Sequence, residues 1–469
     1  MRPPFHKERP PYPGHWPVPA APAVSAPAAL GLFAGFSLVV LAMGFNGTVV
    51  LTLPVVALVG VLVTREWDDF GLVFWALITL SFSYYYGVWQ IGGLLTVMRF
   101  FLLGLLLVAA LKALSRGVEY ASSAVLFLLF FLFALVGSFF FSAYRDIAAM
   151  KAIFSGAFFL GLILSAGSSG RFPYALFASM TAVAVLSVAL FFINPLIGYS
   201  YTLDPNSAAT AMGRYAGVLN HPQLLACLLA VNIPLFLHVF VTRRGLLSMM
   251  AFLALLCTLF INVISSSRTG MLATIVASVT ALWLFSRAAT DETAVRRLRG
   301  VLALVILAVL VAGLSLSDQV AEFIRKSDDV YGGISLSGRE EIIFASWRGF
   351  LDQPLLGHGF QVPSPFTEHG GASFGMTSES TSVEKCFFLT MLLEEVGLFG
   401  TALFLAGVLM LYRRWFRKGA YVSVAAMTGF LMANVGEACI LSPSSLGGLC
   451  WLSVFAAHNL VFDEAPSPR

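Results

Sequence analysis

Residues 122–142 read SSAVLFLLFFLFALVGSFFFS, a run without a single charged side chain. As a helix rising about 1.5 Å per residue it is long enough to cross about 30 Å of hydrocarbon. Its hydrophobicity is continuous, whereas a membrane β-strand would alternate apolar and polar positions. Similar runs recur near 26–45, 47–64, 70–89, 92–111, 148–166, 173–194, 223–241, 246–264, 270–286, 300–316, 387–412, 421–439 and 446–462. Some neighbours are separated by so few residues that they can be one bent or re-entrant helix, so the count is about 12–14 transmembrane helices. Of the 469 residues, 58% are hydrophobic and 11% charged, which leaves too little polar surface for a water-soluble domain. The expected fold is all-α, a polytopic integral membrane protein with one large extracytoplasmic loop.

The few basic residues report orientation. Lys112 with Arg116, Arg171, Arg243 with Arg244, the Arg287–Arg299 segment, and Arg413, Arg414, Arg417 with Lys418 fall in alternate loops. The positive-inside rule makes those loops cytoplasmic. Three arginines then lie on the opposite side: Arg214 in GRYAGVLNHPQLLA, Arg268 in SSSRTG and Arg339 in LSGREEI. Guanidinium groups on the face that should be poor in positive charge point to an anion at the membrane surface, such as a lipid-linked pyrophosphate. Arg99 and Lys151 fall within apolar runs near the same predicted side, where an ionisable group is expensive and by default functional or paired. Either extends the cationic patch or pairs with Glu437 or Asp146.

The net charge of +4 is spread over short loop clusters and offers no groove for nucleic acid. Residues 1–25, rich in Pro and basic side chains, read as a disordered cytoplasmic tail ahead of a membrane domain spanning 26–462. The five cysteines lack CxxC spacing and read as small packing residues, and no metal-ligand pattern occurs.

The long polar stretch, 317–386, is the extracytoplasmic loop. Within it Ser337–Phe350 carries Ile342, Ile343, Trp347 and Phe350 at helical spacing, with Ser337 and Glu340 as a capping pair. That pattern predicts an amphipathic helix at the membrane surface. The Gly-, Ser-, Thr- and Pro-rich tract 357–382 reads as a lid or channel wall. A smaller loop on the same side, about 194–222, contributes Tyr199, Tyr201, Asp204, Arg214, Asn220 and His221.

Three pieces in order, GRYAGVLNHPQLLA, SSSRTGMLATIVASVTALWLF, and SGREEIIFASWRGFLDQPLLGHGF followed by LLEEVGLFGTALF, resemble the bacterial O-antigen ligase and polysaccharide polymerase superfamily over roughly residues 210–405. The resemblance implies glycosyl transfer from an undecaprenyl-pyrophosphate-linked saccharide at the periplasmic face of the inner membrane, with neither nucleotide sugar, cofactor nor metal. Arg214 and Arg268 match the family's paired arginines, and Arg339 its SGR segment. Growing negative charge on a departing pyrophosphate is best met by preorganised guanidinium donors, so the residues suit that chemistry on their own account.

Ligases of this superfamily carry a His about nine residues before the Glu of the Glu-x-Gly-Leu segment, and here VEKCFFLTMLLEE has none. The candidates to accept the acceptor's proton are therefore Glu384, Glu395 and His369, with His358 of GHGF beside them. Glu395 falls on the family's Glu and has loop ordering as its other role. Polymerisation of lipid-linked repeat units is the expected reaction, in the lipid bilayer and with a chain-length regulator as a candidate partner. Ligation to a lipid A core and a transporter or flippase without transferase activity are the alternatives. No internal repeat of the kind carriers show is found.

Overall fold

The computed structural model describes residues 121–165, 172–193, 199–200, 214–219, 222–265, 267–288, 339–363, 365–366, 385–443 and 446–460, with isolated residues between 292 and 300. These lie in one compact unit, Phe45–Arg469. The tail at 1–25, the runs from 26 to 111, the run at 300–316, and Arg99, Glu384 and His369 lie outside the described residues.

Seven described helices are long and apolar enough to cross a membrane. They are α1 (Ala121–Phe141), α2 (Arg145–Ser165), α3 (Phe172–Ile193), α4 (Pro222–Thr242), α5 (Leu246–Ile264), α6 (Arg268–Ala288) and α8 (Phe388–Lys418). An amphipathic helix, α7 (Arg339–Asp352), precedes α8, and two shorter apolar helices, α9 (Tyr421–Ala433) and α10 (Leu446–Ala456), follow it. The protein is a polytopic all-α membrane protein. Its strand content among the described residues is one antiparallel pair, β1 (Tyr199–Ser200) with β2 (Arg214–Tyr215), in which Ser200 opposes Arg214.

Helix α4 is the core, with 94% of its span buried inside the protein. Small residues let its neighbours close in. A β-carbon on Gly270 of α6 would lie 2.4 Å from Cβ of Ala226, and one on Gly429 of α9 would lie 2.7 Å from Cβ of Ala277 on α6. Without a hydrophobic drive between helices inside a bilayer, such close approach supplies much of the packing energy. A second core joins α1, α2, α8 and α10 through aromatic rings. Phe127 meets Phe404 edge-on at 5.6 Å, Phe159 meets Trp451 at 5.4 Å, and Phe131 stacks on Phe159 at 5.6 Å.

Helices α9 and α10 are shorter than the apolar runs at 421–439 and 446–462 suggested. Asn434 ends α9 because its amide donates back to Phe430 O at 2.8 Å while its side-chain oxygen accepts from Cys439 N at 2.8 Å. The chain then forms a tight loop, 435–443, whose Ile440 carbonyl accepts from Trp451 Nε1 at 2.7 Å. Cys227 and Cys450 are fully buried packing residues.

The described helices share two ends of opposite character. At one end Arg297 donates to the carbonyls of Phe240 and Arg243 at 2.9 and 2.8 Å, and Arg243 reaches the hydroxyl and ring of Tyr174. Arg287 lies 4.2 Å over Trp283, and Arg417 and Lys418 occupy the last turn of α8. Cations at helix C-termini also suit the macrodipole. The other end gathers the C-termini of α1, α3, α5 and α9 with the N-termini of α2, α4, α6 and α8, and there the site is built.

Candidate functional site at a broken helix

Helix α8 is broken near its start. Gly397 has φ 62° and ψ −169°, so Glu394, Glu395 and Val396 close one helical segment and Leu398 opens the next. The freed carbonyls need donors, which a bilayer does not supply. They find them in the segment that follows α7. His358 N donates to Glu394 O at 2.8 Å, Gly359 N to Glu395 O at 3.0 Å, and Leu398 N returns a bond to Pro354 O at 2.8 Å. Thus PLLGHG and EEVG, two separate pieces of sequence, pair main chain to main chain.

The same two glutamates use their side chains elsewhere. Lys385 Nζ lies 2.9 Å from Glu394 Oε2 and 3.1 Å from Glu395 Oε1. All three residues are buried, at 4%, 0% and 2% exposure. Burial by itself would favour a neutral Lys385, but Glu395 and Glu394 outweigh it and hold the ammonium above the ordinary lysine range. The main chain of Gln361 hydrogen-bonds the Glu395 carboxylate as well.

Lys151, in the second turn of α2, donates from Nζ to Gln361 O at 2.8 Å and lies in the field of Glu395. Gln361 has φ 52°, uncommon for a residue with a side chain, and its amide donates to Leu441 O at 2.7 Å. Ser138 Oγ accepts from Phe360 N at 3.0 Å. His358 turns its ring back on α7, with Nε2 3.0 Å from Gly349 O and 3.5 Å from Asp352 Oδ2.

The outgoing arm of the long loop is fixed beside this knot. Ala438 N donates to Lys385 O at 3.2 Å, and Phe388 N to Asn434 O at 3.1 Å. Loop 435–443 in turn abuts the start of α6, where a β-carbon on Gly436 would come 2.3 Å from Thr269 Oγ1. Arg268 is the first residue of α6, two residues ahead of the apolar run at 270–286, and Ser267 Oγ accepts from Gly270 N at 3.1 Å behind it. A cation gains nothing from the macrodipole at a helix N-terminus, a place that instead suits an anion.

Arg214 opens β2 at the same end of the molecule. Tyr215 donates its hydroxyl to Ser187 O, and Phe191 bridges Tyr215 and Phe260 at 5.3 and 5.4 Å, one turn short of the α5 terminus. Arg339 is the first residue of α7. This helix turns its small residues Ala345, Ser346 and Gly349 inward and leaves Phe344, Trp347 and Leu351 at 63%, 42% and 61% exposure. The inward face meets Glu394, whose Cγ would lie 2.8 Å from a β-carbon on Gly349.

Of the residues expected to form a site, Lys151 and Glu395 thus meet at one knot, Arg268 lies beyond loop 435–443, and Arg214 and Arg339 are the first residues of β2 and α7. The sequence reading missed Lys385, Glu394 and Gln361. The signal for the first two was present: adjacent carboxylates inside an apolar run require a cation, and Lys385 is the nearest one upstream.

The arrangement defines a helical membrane protein with cationic side chains and a re-entrant polar knot at the end opposite its basic loops. Residues 251–405, about a third of the chain, match the family model described as O-antigen ligase (Wzy_C). The match runs from within α5 through α6 and α7 to the middle of α8, and supports the O-antigen ligase and polymerase superfamily, whose members are membrane glycosyltransferase-like enzymes. No curated protein matches the chain.

Proposed function

We propose that the protein is an inner-membrane glycosyltransferase that joins undecaprenyl-pyrophosphate-linked repeat units into a longer glycan at the periplasmic face, without metal or nucleotide. The observation that carries this reading is the position of Arg268: it opens a membrane-spanning helix at the end remote from Arg243, Arg287, Arg297 and Arg417, in a segment matching the O-antigen ligase family. By the positive-inside rule the basic end faces the cytoplasm and Arg268 the periplasm.

In the reaction an acceptor hydroxyl attacks the anomeric carbon of the donor sugar, the bond from that carbon to the pyrophosphate oxygen breaks, and the pyrophosphate leaves with the electron pair. Arg214 and Arg268 meet its charge with forked hydrogen bonds. Arg339, Lys151 and Arg99 add to the positive potential. The hydroxyl proton passes to a base supplied by the long loop, Glu384 or His369. Glu395 belongs to the same machinery, and its buried ion pair suits it to hold the loop.

The position nine residues before Glu395 is Cys386, a thiol at 4% exposure, where ligases of the superfamily carry their His. That favours polymerisation over ligation to a lipid A core. Purified protein in nanodiscs should lengthen an undecaprenyl-pyrophosphate-linked oligosaccharide in EDTA and release undecaprenyl pyrophosphate. Passage of intact lipid-linked oligosaccharide across a vesicle with no new glycosidic bond would overturn the reading in favour of a carrier.

A further inference from the structure

Two stretches of the long loop, 358–361 and Lys385, are tied to the same pair of residues. Glu394 and Glu395 receive the incoming arm on their carbonyls, through His358 N and Gly359 N, and the outgoing arm on their carboxylates, through Lys385 Nζ. We propose that Lys385 is a positioning residue, whose ammonium draws the loop's outgoing arm onto the broken turn of α8 and so fixes that arm against residues 358–361 for the transfer reaction. The proposal rests on the transferase reading above.

Three features support it. First, Lys385 is not placed to touch substrate: it is 4% exposed, with two carboxylates within 3.1 Å of its nitrogen. Second, the charges balance at the knot, because Lys151 approaches from α2 through Gln361 and offsets the second glutamate. Third, overall stability does not demand ions here. Buried ion pairs are commonly no better than apolar residues of the same volume, whereas an ion removed alone leaves its partner stranded. What a buried ammonium between two carboxylates adds is a single partner and a single register.

The test compares Lys385→Met with a charge-neutral pair, Lys385→Met and Glu394→Gln together, both in the full chain in nanodiscs. The pair leaves Lys151 in the field of Glu395 and no charge stranded, so it folds where the single variant fails. Hydrogen exchange is read at the His358 and Gly359 amides, with the α4 amides as internal reference. The pair should speed exchange at the two loop amides by about tenfold or more while α4 stays protected. In transfer assays kcat should fall by about tenfold or more with KM within about threefold, the signature of misplacement and not of lost substrate contact. Unchanged exchange at His358 and Gly359 would refute the tie, whatever the enzyme does. Faster exchange with undiminished kcat, a loss confined to KM, or failure of both variants to accumulate would refute the positioning role. A wild-type protein with no transferase activity would sink the transferase reading alone, since the exchange result stands without it.

Discussion

Gly357 and Gly397 meet backbone to backbone. A β-carbon on Gly357 would lie 2.4 Å from the Glu395 carbonyl carbon, and one on Gly397 would lie 2.3 Å from that of Leu355, while both residues sit at positive φ, 74° and 62°. Two separate restrictions, of space and of dihedral, apply at each position, and glycine alone satisfies both. The contact is what lets the arm after α7 supply hydrogen bonds to the interrupted α8.

Alanine at either glycine should therefore cost about 3 kcal/mol or more, since neighbouring main chain cannot yield as a side chain can. Gly245 also has positive φ, 66°, but nothing lies within 4 Å of its absent β-carbon. Gly245→Ala should carry the dihedral cost alone, on the order of 1–3 kcal/mol, and so lose less than Gly397→Ala. The fraction of protein surviving stepped heating in detergent checks the contrast, and equal losses at 245 and 397 would contradict the steric account.

Arg268→Lys keeps charge but loses the planar fork. It should lower kcat/KM for lipid-linked donor by about tenfold, and Arg268→Ala by about 100-fold, at normal protein levels. Arg287→Ala, at the opposite end of the same helix, should leave transfer unchanged. Full activity in Arg268→Ala would remove this arginine from pyrophosphate binding.

Orientation is testable at two exposed positions. In a cysteine-free background, Phe366→Cys should react with a membrane-impermeant maleimide in intact spheroplasts, and Arg417→Cys only after permeabilisation. Labelling at 417 alone would invert the topology and with it the periplasmic site.

The alkaline limb of stability should belong to Lys385. Its folded value is raised above the unfolded value of about 10.4, so its contribution is complete below that pH and is lost as pH rises through the folded value. Thermal survival measured from pH 8 upward should fall beyond about pH 10 in the wild type, and the Lys385→Met, Glu394→Gln double variant should lack that component. A wild-type profile identical to the double variant's would show that the Lys385 ion pairs contribute nothing to stability.

The spanning helices were legible because one-dimensional hydrophobicity dictates them: the run at 122–142 became α1 almost residue for residue. The start of α6 at Arg268 was legible too, since SSSRTG supplies its own cap through Ser267. The early end of α9 was not, because Asn434 acts through a loop that folds back beneath it. The Lys385 pairings were equally hidden, as they join a polar loop to glutamates beyond a helix start and need the chain to reverse first. In α7 the helix and its apolar character were readable from spacing, but which apolar residues face outward depends on Gly349 packing against Glu394.

Because residues 361 and 385 are both anchored at one broken turn, the chain between them is a closed ring in the thermodynamic sense. Closure entropy grows only logarithmically, by about 0.6 kcal/mol for each doubling of length. Insertions or deletions between those anchors should therefore leave the helix packing untouched, so the length of this segment can change without redesigning the membrane scaffold.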